Sequence, residues 1–229
     1  MIGRVRFEEG RSRIHWEQEL LHGIAVCSVT FYEPETTRPE LTERRLRKME
    51  KLFRNEGVTR VLLPSSFPYR HLLRQVQPVS VGNLYRCFAD LLVLEILKRR
   101  GIDQVFARVA LMGPRLCLEL CETAKRLCRA VREVRIDVPS GEGARFARLL
   151  QREYGLPVMP SSAAVDAVVC FGPERGADLI LWGDEPDLYG MRLAAENIEV
   201  PYEIEQPMLA LLWEQGRLRR GDVYVVNVP

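Results

Sequence analysis

The sequence predicts an α/β protein: a three-layer sandwich with a mostly parallel sheet, preceded by a smaller N-terminal α/β lobe. Three observations carry this. Short apolar runs alternate with helix-length amphipathic segments through the C-terminal half, and a parallel crossover needs a helix-sized connection. Glycines stop the helical segments at positions 57, 101, 155 and 216, where helices favour them. The chain has 229 residues, 47% hydrophobic and 28% charged, a folded-domain composition that excludes disorder, collagen-like repeats and coiled coil for the whole.

The elements follow in order. Residues 4–8 alternate and read as a strand, with 13–17 pairing to it across the Glu9-Gly10 turn, and 23–32 form a longer apolar strand. After a loop at 34–39, Pro39 opens a helix to residue 56 with Leu46, Met49, Leu52 and Phe53 on one side. A short strand, 58–63, ends in Pro64-Ser65-Ser66. A helical stretch at 69–75 precedes a longer helix at 83–100, whose apolar residues 91–94, 96 and 97 cover most of its circumference. Such a helix is buried on more than one side.

From there the rhythm is regular: strand 105–112, helix 114–131, strand 133–138, helix 141–154 and short strand 156–159. Two more apolar strands, 165–171 and 177–182, flank a Gly172-to-Gly176 turn that is a loop or a hairpin; a hairpin would make the sheet mixed. An acidic loop at 184–189, a helix at 207–215 and a valine-rich strand at 222–228 complete the chain. A weak boundary at 102–104 divides an N-terminal lobe, 1–104, from a C-terminal lobe, 105–229, unless the two form one continuous domain.

Charge narrows the partners. The 33 basic and 31 acidic residues leave a formal charge of +2, which argues against nucleic acid, whose binders concentrate a basic excess. No run reaches the roughly 18 apolar residues of a membrane span, and the N-terminus is too polar for a secretory signal. Six cysteines outside any disulfide-scaffold spacing point to the reducing cytoplasm.

The segment Val109-Ala110-Leu111-Met112-Gly113-Pro114-Arg115-Leu116 is a strand running through a glycine into a helix, and the next strand ends at Asp137. Over residues 105–182 this layout resembles the first βαβ unit of the Rossmann-like dinucleotide-binding superfamily. The resemblance is one of topology. Gly113 matches the first glycine of the fingerprint, while Arg115 and Leu118 replace the second and third. It implies a nucleotide ligand on Gly113, Arg115 and Asp137, with Asp137 receiving ribose hydroxyls. The alternative for Asp137 is a cap on the helix that follows.

Other candidates read differently. Cys117, Cys121 and Cys128 share a helical face, but thiols spread over three turns do not converge on a metal; they read as packing, as do Cys27, Cys87 and Cys170. Asp184 and Asp187, after the strand ending at Trp182, are the candidate Mg²⁺ ligands, or else decorate an exposed turn. His71 is the first histidine to test for acid–base chemistry. Ser65-Ser66 and Ser161-Ser162 follow strands, as caps or anion ligands. No P-loop or nucleophile elbow is present, and no cofactor is specified.

The functional expectation is a non-catalytic module binding a small ligand or a protein, since the strand-end polar groups are scattered rather than convergent. An enzyme binding a nucleotide cofactor or phosphorylated substrate on the same rim is the competitor. A homo-oligomeric scaffold joined through the C-terminal strand is the third reading.

Overall fold

Alternation and glycine stops translate directly into elements in the computed structural model of the chain, which describes residues 1–10, 14–33, 39–139, 141–155, 164–174, 176–183 and 186–228. The expected strand at 156–159, Ser161, Ser162 and Asp184 lie outside these residues. The chain divides into two units, Met1–Ser80 with Ala195–Arg219, and Val81–Ala194 with Arg220–Pro229. Residues 102–104 lie inside the second unit.

The first unit is built on a five-stranded sheet, ordered β2-β3-β1-β4-β5. Its strands are β1 (Ile2–Glu9), β2 (His15–Leu21), β3 (Ile24–Glu33), β4 (Arg60–Leu62) and β5 (Gln77–Pro78). The expected β1–β2 pairing does not form. β1 runs parallel to β3, Val5 opposite Val29, and β2 pairs antiparallel to β3. The reason is the turn: His22 and Gly23, both at positive φ (47° and 73°), make the two-residue connection that matches strand twist. β3 therefore takes the place beside β1. One sheet face, with Val5, Val29, Phe31 and Val61, packs on Leu46, Met49 and Phe53 of α1 (Pro39–Asn55). The expected helix at 69–75 shortens to a 3₁₀ turn, Arg70–Leu72. The tail supplies α6 (Glu205–Glu214), whose Glu214 pairs with Arg60 at 2.7 Å.

The second unit carries a four-stranded, all-parallel sheet ordered β7-β6-β8-β9. Its strands are β6 (Arg108–Met112), β7 (Glu133–Asp137), β8 (Ala167–Cys170) and β9 (Leu179–Ile180). Val109, Ala110 and Leu111 are consecutive and fully buried, so both sheet faces are covered, as a parallel sheet requires. The parallel β8–β9 pairing removes the hairpin alternative for Gly172 to Gly176. The expected helix at 83–100 is two helices, α2 (Gly82–Cys87) and α3 (Ala89–Arg99), broken at Phe88. α4 (Leu118–Leu127) begins four residues later than the proline signal suggests, with Cys117 extended before it; α5 (Gly141–Tyr154) follows β7. A separate two-stranded sheet joins β10 (Met191–Ala195) to β11 (Val223–Asn227). β10 was not anticipated, lying beyond the acidic loop in a segment without clear alternation. Among the described residues no helix is long and apolar enough to cross a membrane.

Candidate functional site

In a parallel sheet every strand delivers its C-terminal end to the same rim, and ligands of such sheets bind where strand order reverses. Here the chain goes from β6 outward to β7 and then returns to β8 on the other side of β6. The rim therefore carries the segments after Asp137, Met112, Cys170 and Ile180 in spatial order, and the reversal lies between β6 and β8.

Gly113 and Asp137 are brought together. Met112 stands opposite Asp137 in the ladder, and the Gly113 N–H donates to the Asp137 carbonyl at 3.2 Å. The Asp137 carboxylate takes the Arg135 Nε–H at 2.8 Å, two residues back on the same strand face. Arg115 is exposed in the loop between β6 and α4. The turn does not require glycine at 113. Its φ is not positive, and an added Cβ would meet nothing nearer than 3.5 Å.

The steric demand for glycine falls elsewhere. A Cβ on Gly172 would lie 2.6 Å from Pro114 Cδ and press on the Glu174 carboxylate. The β6 and β8 loops thus close directly on one another at the reversal point. A Cβ on Gly143 would lie 2.6 Å from the Val138 carbonyl oxygen. Close approach of helix to strand, the task of a third glycine in the fingerprint, is served one βα unit late, by Gly143. Leu118, at the expected place, is 73% exposed.

The titratable groups at the rim are engaged by their neighbours. The Cys170 thiol lies 3.0 Å from Glu174 Oε2, and its sulfur accepts the Gly172 N–H at 3.3 Å. Burial, and secondarily Glu174, push this thiol up to about 11, while the thiol's hydrogen bond holds Glu174 below its ordinary value. Burial likewise raises Cys117 and Cys121, and lifts Cys128 to about 11, so these thiols are protonated at neutral pH and are poor nucleophiles. Asp187 returns alongside β9: its backbone exchanges two 3.0 Å hydrogen bonds with Ile180, and its Oδ1 accepts the Tyr189 N–H at 3.1 Å. Among the described residues no group of three or more His, Cys, Asp or Glu side chains is assembled for a metal. His71 and Ser65 belong to the first unit, where both are exposed and the Ser65 N–H is spent on the Glu203 carbonyl.

Sequence reasoning missed two rim residues. Arg86, on α2, donates its Nε–H to the Leu181 carbonyl at 3.1 Å and sets its guanidinium 5.9 Å from the centre of the Trp182 ring. Trp182 itself is 46% exposed. An exposed tryptophan directly after an apolar strand was the available signal; nothing local marked Arg86. Asp137 ends β7 and Trp182 follows β9, the two outer strands, which stand three interstrand steps or about 14 Å apart. No protein-family model matches the chain, and no curated protein sequence matches it.

Proposed function

We propose that the second unit is a non-catalytic binding module, taking a small elongated ligand along the C-terminal rim of its parallel sheet. The observation that carries this is Trp182, exposed beneath the Arg86 guanidinium at one end of a rim whose other end holds Asp137. A ring face flanked by a cation suits a flat heterocycle, where stacking contributes about 1–3 kcal/mol. A carboxylate at the far end suits hydroxyls, and exposed Arg115 between them suits an anionic group. A binding role is supported by the state of the groups described at the rim. Asp137 and Asp187 each accept one hydrogen bond, from the Arg135 Nε–H and the Tyr189 N–H, and keep lone pairs for ligand donors, while the Cys170 thiol, protonated at neutral pH, is a poor nucleophile. Six free cysteines fit residence in a reducing compartment.

The second reading, an enzyme using a nucleotide cofactor on Gly113, Arg115 and Asp137, is favoured by the parallel order and by Gly113 standing beside Asp137. One thermal-shift experiment addresses both. NAD, NADP, ATP and S-adenosylmethionine are each added with and without Mg²⁺. A ligand at about 100 times its dissociation constant adds about 2.7 kcal/mol. The expected result is a raised midpoint with at least one nucleotide, lost in Trp182→Ala and in Asp137→Ala. No shift with any of them overturns the rim as a nucleotide-like site, and consumption of the bound nucleotide makes the module an enzyme.

A further inference from the structure

A chain average of +2 conceals a local excess on α1. Taking 100° per residue, Thr42, Leu46, Met49 and Phe53 form the buried face. The opposite face carries Arg44, Arg47, Lys48 and Lys51, all exposed. Together with Leu41 and Arg45 they line a surface depression of about 510 Å³. The acidic residues of the helix neutralise this face only in part, exposed Glu40 standing on the same side one turn before Arg44. Glu43 pairs with Arg47 at 2.7 Å, and Glu50 is turned inward, accepting the Arg74 and Gln75 N–H groups at 2.7 Å each. Among the described residues no carboxylate pairs with Arg44, Lys48 or Lys51.

Such a stripe opposes folding. Arg44–Lys48 and Arg47–Lys51 are like-charged at i,i+4, and Arg44–Arg47 and Lys48–Lys51 at i,i+3, where each pair weakens a helix. A merely solvated face interleaves signs. We propose that the outer face of α1 binds the phosphate backbone of duplex nucleic acid. The stripe from Arg44 to Lys51 rises about 10 Å along the helix axis, against which a duplex presents one phosphate charge per about 1.7 Å. Linear cation array and linear polyanion are therefore matched in shape. A bilayer is a poorer fit, because the apolar residues of α1 are committed to the core and only Leu41, 51% exposed, is available on this side to enter lipid.

The test is fluorescence anisotropy of a labelled 20-base-pair DNA duplex with the intact chain, over 50–200 mM salt, alongside sedimentation with phosphatidylserine vesicles. Four phosphate contacts give a slope of log affinity on log salt near −3.6, a loss of about 100-fold across that range. The R44E/K48E/K51E variant should abolish binding at 50 mM salt, and R44Q/K48Q/K51Q should flatten the slope to about −1 while melting at or above the wild-type temperature. R145E/R148E, a charge reversal on exposed residues of α5, should change neither. Absence of duplex binding at 50 mM salt overturns the proposal, as does binding that the α1 variants leave intact. Vesicle binding without duplex binding overturns it in favour of a membrane surface.

Discussion

Glu19 on β2 sits where three donors converge. Arg4 Nη1 reaches it at 2.9 Å, Arg6 Nη2 at 3.0 Å, and the Ser28 hydroxyl donates to the same carboxylate. Partial burial pushes this carboxyl up, but Ser28, Arg4 and Arg6 outweigh it and hold the group below its ordinary 4.5. A carboxyl depressed in the folded state contributes stability that is present above the unfolded value and lost as pH falls through the folded one. Glu19→Gln should therefore cost about 1–2 kcal/mol at pH 7. The difference from wild type should shrink as pH falls through the folded value, below the ordinary 4.5, and urea midpoints at pH 7 and in acid measure it. A constant difference would mean that packing rather than charge holds Glu19. The pairing was unreadable from sequence because it depends on β3 lying between β1 and β2.

The same lesson holds for whole elements. Strand and helix types through the second unit were legible, because alternating apolar runs and glycine stops encode crossovers. The joints were less so. The break between α2 and α3 falls at fully buried Phe88, whose ring lies 4.8 Å from the Arg220 guanidinium, a residue near the other end of the chain. Arg220 also binds both carboxylate oxygens of Asp90, 6% exposed in the first turn of α3, and donates to the Cys87 carbonyl at 2.7 Å. It thereby fixes the angle at which the two helices meet. Removing one partner of a buried pair leaves the other charge uncompensated, at about 3–5 kcal/mol when both are fully buried. Partial exposure of Arg220, and Arg126 Nη1 lying 3.9 Å from Asp90 Oδ1, lower the expectation for Arg220→Ala to about 2–3 kcal/mol by urea unfolding, with Arg220→Lys recovering only part. At the rim, adjacency of Gly113 and Asp137 followed from successive βαβ units, whereas Arg86 arrives from an earlier helix and left no local trace.

At the scale of the molecule, the first unit is assembled from two stretches that the second separates by about 110 residues. The returning stretch is integral to it. Glu214 pairs with Arg60, the Ser65 N–H donates to the Glu203 carbonyl at 3.2 Å, and His22 Nε2 lies 3.1 Å from the Glu199 carbonyl oxygen. Ile204, Met208, Leu209 and Leu211 of this stretch are all at most 1% exposed. Closing so long an excursion costs about 4 kcal/mol of chain entropy, scaling with the logarithm of its length, and burial of α6 must exceed that. A fragment of residues 1–80 should therefore lack cooperative urea unfolding and dispersed amide resonances. Joining 1–80 to 195–219 through a flexible linker of about 20 residues should restore both, with closure made cheaper by about 1–2 kcal/mol. If residues 1–80 alone unfold cooperatively, the five-stranded sheet and α1 suffice by themselves, and α6 is an ornament on the first unit rather than part of its core.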